Sequence, residues 1–118
     1  MIIKQGKAWG ITRKIYRGPV NELHHISAKK GGYCSKHSHK KYNLFYVLSG
    51  QLKISIWLDE EAKEPMDITV LGPEEVSAVP PELPHRFEAL EDTECIELYY
   101  VLLEDPDIKR FDQGGMKE

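Results

Sequence analysis

The sequence predicts an all-β protein, built as one sandwich or barrel. Of its 118 residues, 41% are hydrophobic and 30% are charged, which is the balance of a globular domain and not of a disordered chain. Short β-type runs are separated by turn residues about every 8–12 positions, and no stretch keeps a helical apolar period. We therefore expect a single domain over residues 1–118.

The central strands are predicted on the two sides of a Ser49-Gly50 turn, within residues 44–58. The first run is apolar on both faces, as in a strand that is buried on both sides. The second run alternates apolar and polar residues. Its apolar row consists of Leu52, Ile54, Ile56 and Leu58.

Turn residues such as Gly-Pro, Gly-Gly and Pro-Pro delimit the remaining elements. Further strands are expected at residues 20–27, 66–71, 76–79, 86–89 and 95–103. The connection at residues 60–63 fits either a helical turn or a hairpin loop. Residues 104–118 fit a short helical turn followed by a tail.

Composition argues against several classes of partner and location. There are 19 acidic and 16 basic residues, whereas nucleic-acid-binding domains usually carry a basic excess, so we predict no nucleic-acid partner. The apolar runs are far shorter than the ~20 residues of a membrane helix, so we predict no membrane partner. The N-terminus lacks the pattern of a signal peptide, and Cys34 and Cys95 fit free thiols, which favours a cytoplasmic protein.

Five lysines lie close together in the sequence, in contrast to the acidic balance of the whole chain. They are Lys29, Lys30, Lys36, Lys40 and Lys41. Such a cluster could attract a small anionic molecule, or it could be an ordinary solvated loop.

Three of the five histidines have the spacing of metal ligands. His37 and His39 are two residues apart, so an extended chain would direct both imidazoles to one side. His85 follows a proline-rich segment, residues 80–84, which stiffens its approach. Three neutral nitrogen donors suit one divalent transition metal such as Zn, Fe, Mn, Ni or Cu. The alternative is that these histidines are packed or solvated without a metal.

The residues around these histidines resemble the two cupin motifs. The fixed positions of the first motif, G-x5-H-x-H-x3-4-E-x6-G, are occupied at residues 31–50 by Gly31, His37, His39, Asn43 and Gly50. Residues 72–89, with Pro80, Pro81, His85 and Phe87, resemble the second motif, in which a proline turn delivers the third metal histidine. The resemblance implies a cupin double-stranded β-helix (a jelly-roll barrel) with one metal held by His37, His39 and His85.

Asn43 departs from the motif, which has a glutamate at this position. An asparagine offers a neutral carbonyl oxygen, whereas a carboxylate supplies charge to the cation and can accept a proton. The resemblance therefore implies a metal site with Asn43 as a weaker fourth ligand.

Both ends of the chain are similar to cupin-type mannose-6-phosphate isomerase domains. Residues 7–10, Lys-Ala-Trp-Gly, resemble their K-P-W-G entry, and residues 104–112 resemble their acidic E-D-D-I-x-R-x-x-D ending. The implied reaction is aldose–ketose isomerisation of a phosphorylated sugar. Residues 113–115, Gln-Gly-Gly, replace the terminal Y-G-R of that family, so its arginine is missing.

Other side chains are candidates for chemistry or for ligand contact. Glu97 interrupts an apolar run and either points inward, as a ligand or catalytic base, or faces solvent on an edge strand. Arg86, Phe45 and Tyr46 are candidates for substrate binding, and the aromatic pair could instead belong to the core or to a dimer face.

Two adjacent histidines and a cysteine add weaker candidates near the same motif. On a strand only one of His24 and His25 can face the interior, where it would add a nitrogen near the site. Cys34, three residues before His37, could lie at the rim of the pocket.

The alternation of residues 43–48 also predicts the oligomeric state. If Asn43 faces the metal, then Leu44, Tyr46 and Leu48 share the opposite face, which must be covered, so we predict a homodimer. For function, three hypotheses stay open. They are a metal-dependent enzyme acting on a small polar ligand such as a sugar or sugar phosphate, a three-histidine Fe(II) dioxygenase, and a non-enzymatic cupin that binds or senses a small ligand.

Overall fold

The computed structural model describes residues 3–102 and 109–117. Within them, nine antiparallel strands form two sheets and no residue is helical, so the predicted all-β class is confirmed. The strands are β1 (Ile3–Lys7), β2 (Gly10–Arg17), β3 (Glu22–Ala28), β4 (Tyr42–Ser49), β5 (Leu52–Ile56), β6 (Asp67–Leu71), β7 (Val76–Val79), β8 (His85–Ala89) and β9 (Thr93–Tyr100). The larger sheet has the order β1-β2-β3-β9-β4-β7, and the smaller has β6-β5-β8.

Over the described part of the chain, no helix has the length and apolarity that crossing a membrane requires.

The predicted turn at Ser49 and Gly50 joins β4 to β5. Gly50 has φ = 90°, and a Cβ added there would overlap the main-chain oxygen of Asp92. Only glycine fits this position without strain. The segment between β5 and β6 connects two paired antiparallel strands, so residues 60–63 belong to a hairpin loop and not to a helix.

The structure differs from the sequence-based prediction mainly at the N-terminus, where β1 and β2 were not expected. Their residues are largely polar, and a bulge between Lys14 and Tyr16 interrupts the alternation of β2. Leu58, predicted to continue the apolar row of the second run, lies beyond β5 and is 67% exposed.

The predicted helical turn near the C-terminus falls partly on residues 104–108, which lie outside the described residues. Residues 109–117 contain no helix or strand.

The interior of the molecule changes from apolar to polar along the strands of the larger sheet. From the apolar to the polar end, the interior rows are Ala28, Ile26 and His24 on β3, Val47, Phe45 and Asn43 on β4, and Cys95, Glu97 and Tyr99 on β9. The apolar end packs against the smaller sheet through Leu52, Ile54, Phe87 and Ala89. The hydrophobic core thus fills one end and leaves a polar interior at the other.

Candidate metal centre

Main-chain pairing brings His37 and His85 together. The two residues form an antiparallel bridge, in which His37 N donates to His85 O at 3.1 Å and His85 N donates to His37 O at 2.8 Å. The segment before His37 runs beside β8, with Cys34 N donating to Phe87 O at 3.2 Å. Residues paired in this way direct their side chains to the same side, and the two ring centroids lie 4.5 Å apart.

His39 reaches the same point from a loop. The segment containing His37 and His39 lies outside the named strands, with His37 in an isolated bridge. The carbonyl oxygen of His39 accepts a hydrogen bond of 2.7 Å from the main-chain nitrogen of Glu82, in the proline-rich segment. The ligating nitrogens of His37, His39 and His85 all lie within 4.8 Å of one another, and we call these three residues the histidine triad.

Each imidazole of the histidine triad is held in one tautomer. In all three residues Nδ1 donates to a main-chain carbonyl oxygen two residues away. The acceptors for His37, His39 and His85 are Ser35, Lys41 and Leu83, at 2.7, 2.8 and 2.9 Å. Since a carbonyl oxygen only accepts hydrogen bonds, Nδ1 carries the proton and Nε2 is left with its lone pair. Metal-binding histidines use this arrangement to orient the ring.

Several buried polar atoms at this point have no hydrogen-bond partner among the described residues. They include Nε2 of His39, Nε2 of His85 and Oδ1 of Asn43. Buried polar atoms are normally paired. Burial also lowers the pKa of His39, and it lowers that of His85 to about 4, so both imidazoles are neutral at pH 7. Neutral nitrogen donors with free lone pairs fit a transition-metal cation.

Asn43 and Glu97 form a buried pair next to the histidine triad. Asn43 is fully buried on β4, and its Nδ2 donates to Oε2 of Glu97 at 3.3 Å. Glu97 lies on the interior face of β9 and is 7% exposed. Burial raises the pKa of its carboxyl group. Because the amide nitrogen is used by Glu97, the amide oxygen of Asn43 is the atom left for a further partner.

Two cavities open beside the histidine triad. The larger, about 360 Å³, is lined by His39, and the smaller, about 300 Å³, by His37 and Glu97. His24 and Tyr99 line both cavities, and the Tyr99 ring packs 4.9 Å from that of His39. These volumes lie near the lower end of small-molecule sites, roughly 300–1,000 Å³.

His24, rather than His25, faces the interior. Its Nε2 donates to Oε2 of Glu22 at 2.9 Å and its Nδ1 lies 3.3 Å from Oγ1 of Thr12, so it is fixed at the cavity wall and is not one of the clustered ligands. His25 faces outward, with its Nδ1 3.1 Å from Nη1 of Arg13.

The three candidates for substrate contact do not reach the cavities. Phe45 packs in the core against Phe87, with ring centroids 5.9 Å apart. Tyr46 lies on the outer face of β4, and Arg86 points outward from β8 over the ring of Tyr33, 5.0 Å from its centroid. Among the described residues, none of the three lines either cavity.

Sequence reasoning missed part of the cavity lining. The missed residues include Thr12 and Arg17. Tyr99 lies two residues after Glu97 and therefore shares its face of β9, where it lines both cavities. Trp9, in the Lys-Ala-Trp-Gly segment, lines the smaller cavity and packs edge-on against Phe87, with ring centroids 4.9 Å apart.

The two cysteines are free, as predicted, and both are buried. Cys34 lines the smaller cavity, where its Sγ accepts a hydrogen bond from Phe87 N at 3.2 Å. Burial raises the pKa of its thiol to about 11, so the sulfur is protonated near neutrality. Cys34 does not belong to the histidine triad.

Two antiparallel sheets with imidazoles converging at the polar end of their interior define a jelly-roll protein with a metal-type site. The family model described as "Cupin domain" matches residues 24–101, which include the whole histidine triad. The chain belongs to the cupin family.

Solved structures with the same fold are distantly related in sequence. Oxalate decarboxylase from Bacillus subtilis, a protein with Mn(II) centres, is 21% identical with a TM-score of 0.72, over 85% of this chain and 27% of its own. The present chain thus spans about a quarter of that enzyme's length. KdgF from Halomonas sp. is 19% identical with a TM-score of 0.68, over 87% of this chain and 91% of its own.

A cupin superfamily protein from Desulfitobacterium hafniense is 15% identical with a TM-score of 0.67, and the alignment covers 84% of both chains. Identities this low establish a common fold and nothing further. No curated protein matches the chain.

Proposed function

We propose that this cupin holds one divalent transition metal on the histidine triad and acts on a small polar ligand, such as a sugar or sugar phosphate, in the adjoining cavities. Oδ1 of Asn43 is the proposed fourth, neutral donor. One observation carries the proposal. Nε2 of His39, Nε2 of His85 and Oδ1 of Asn43 are buried without hydrogen-bond partners, while every Nδ1 of the triad is engaged by the main chain.

A bound divalent metal supplies Lewis-acid polarisation of a ligand oxygen. In this proposal Glu97 accepts the ligand's proton and later returns it. Its support is that the carboxyl group lines the smaller cavity, and that its raised pKa brings it towards the range suited to a general base. Asn43 orients this carboxylate through the bond to Oε2.

A second candidate function is ligand binding without turnover. It is favoured by Asn43 itself, because an amide adds neither charge nor a proton acceptor beside the metal. The all-neutral donor set also suits an Fe(II) dioxygenase, and the identity of the metal distinguishes that reaction from Lewis-acid chemistry.

The test is elemental analysis of protein purified without a metal-affinity tag. We expect about one equivalent of transition metal in the wild type and little in the His37→Ala, His39→Ala double variant. His25→Gln is the matched control, since His25 faces outward, and it should keep its metal. A wild type that contains no metal and takes up none on titration would refute the proposal, as would equal uptake by the double variant.

We also propose that the protein is a cytoplasmic homodimer. Two buried free thiols fit a reducing compartment. The outer face of the larger sheet carries a row of partly buried apolar residues across neighbouring strands, which would suit a second copy. We call it the outer apolar face, and it comprises Leu23, Leu44, Tyr46, Ile96 and Leu98.

A further inference from the structure

Basic residues line both cavities, although the chain as a whole has a net charge of −3. The larger cavity is lined by Arg17, Lys40 and Lys41, and the smaller by Lys7. A concave site lined by charges of one sign concentrates ligands of the opposite sign.

Glu22, the carboxylate residue that lines the larger cavity, forms no ion pair with Lys40 or Lys41. Glu22 is engaged by Nε of Arg17 at 3.1 Å and by Nε2 of His24 at 2.9 Å. Among the described residues, Lys40 and Lys41 take part in no ion pair. The positive charge of these two lysines is therefore available to a ligand.

The main chain fixes these lysines next to the histidine triad. The carbonyl oxygen of Lys41 accepts the Nδ1–H of His39 at 2.8 Å. Lys40 lies between the two bonded residues, and all three line the larger cavity. A group seated in that cavity is consequently close to both lysines and to one ligand of the proposed metal.

The rest of the lysine cluster is directed elsewhere. Lys36 donates its Nζ to the carbonyl oxygens of Glu60 and Ala62, at 3.3 and 3.0 Å, and lies over the ring of Trp57. Lys29 lines a separate cavity, and Lys30 is exposed. Lys40 and Lys41 therefore line the larger cavity, whereas the other three lysines of the cluster line neither of the two cavities beside the histidine triad.

We propose that the ligand of this cupin is a small organic anion, whose carboxylate or phosphate group is bound by Lys40 and Lys41 in the larger cavity, beside His39. The proposal rests on the proposed function, since it takes the histidine triad as the second anchor of the same ligand. It restricts the ligand class, because neutral polar molecules of the same size would lack the ionic contact.

The test is an NMR titration of the protein, both metal-free and loaded with diamagnetic Zn(II), with inorganic phosphate, glucuronate, glucose 6-phosphate and neutral glucose. We expect the anions to shift the amide signals of residues 39–42 and Tyr99, and glucose to leave them unchanged. The stronger of glucuronate and glucose 6-phosphate identifies carboxylate or phosphate as the preferred group. Added salt should weaken binding.

Two double variants with the same change in net charge provide the control. Lys40→Gln, Lys41→Gln should raise the Kd of the anions about five- to tenfold. Lys30→Gln, Lys63→Gln changes two exposed lysines outside both cavities and should leave the Kd unchanged.

Three results would overturn the inference: glucose binding as tightly as the anions, equal losses in the two double variants, or no shift at residues 39–42 with any anion. Failure of the proposed function is separate. If elemental analysis finds no metal but the anions bind through Lys40 and Lys41, the anion site stands and the metal proposal falls. If metal binds and the anions do not, the metal proposal stands and the anion site falls.

Discussion

His85 connects the candidate metal centre to the stability of the fold. It is 1% exposed, and burial lowers its pKa from 6.5 to about 4. A histidine with a lower pKa in the folded than in the unfolded state contributes stability above its unfolded pKa, and this contribution is lost as the pH falls. The metal-free protein should therefore lose roughly 2–3 kcal/mol of its free energy of unfolding through His85 between about pH 6.5 and pH 4.

Urea denaturation across this pH range measures the effect. The raised pKa of Glu97 gives the free energy of unfolding the opposite pH dependence, because its contribution is present at low pH and is lost as the pH rises. The effect of His85 is therefore measured as a difference between variants and the wild type. His85→Gln should show a shallower loss of stability on acidification than the wild type, while His25→Gln keeps the wild-type slope. Identical slopes for His85→Gln and the wild type would contradict the assignment.

At the scale of the elements, the turn at Gly50 connects β4, the strand that carries Asn43, to β5 in the smaller sheet. Gly50 has a positive φ, and its Cα faces the main chain of Asp92 and Thr93. Gly50→Ala combines a strained φ with a main-chain overlap, so it should lower the free energy of unfolding by about 1–3 kcal/mol or more. Thermal or urea denaturation measures this change.

The matched control for that substitution is Gly6→Ala in β1. A Cβ added at Gly6 meets no atom within 4 Å, and its φ is not in the left-handed region. We expect a change of no more than about 0.5 kcal/mol there. If the two alanine variants were equally stable, the turn would not require glycine.

At the scale of the whole molecule, the outer apolar face predicts self-association. Leu44 pairs with Leu98 across β4 and β9, and Leu98 pairs with Leu23 across β9 and β3, so the row is continuous. Burial of such a row against a second copy would remove apolar area from water. Leu44→Glu should convert the dimer to a monomer, as measured by size-exclusion chromatography with light scattering.

Ile68→Glu is the control for this prediction. Ile68 is likewise an apolar residue at the surface, with an exposed fraction of 52%, but it lies on β6 in the smaller sheet. The Ile68→Glu substitution should leave the dimer intact. A wild type with the mass of a single chain at tens of micromolar, or dissociation by Ile68→Glu as well, would contradict the outer apolar face as the interface.

The sequence predicts on which face of a strand several site residues lie, because side chains alternate between the two faces of a strand. His85 faces inward, so its neighbour Arg86 has to face outward, and the same rule separates Tyr46 from Phe45. The rule also puts Tyr99 on the face of Glu97. These orientations were available from the sequence once a single residue of each strand had been assigned to a face.

The sequence by itself determined the all-β class, the strand pair around Gly50 and the resemblance to cupins, which implied His37, His39 and His85 as one set of ligands. These depend on local period, turn chemistry and spacing, which a linear chain displays directly. It did not reveal β1 and β2, because their residues are largely polar and a bulge breaks the alternation of β2.

Only the tertiary structure decided which side chains meet. The bridge between His37 and His85 joins residues 48 positions apart, and the pairing of β9 with β3 and β4 sets Glu97 between His24 and the Asn43 strand. The tautomers of the imidazoles, the unpaired Nε2 atoms and the separation of Lys40 and Lys41 from the other lysines follow from these contacts. Such contacts arise from the pairing of distant strands and from burial, which residue spacing along the chain does not encode.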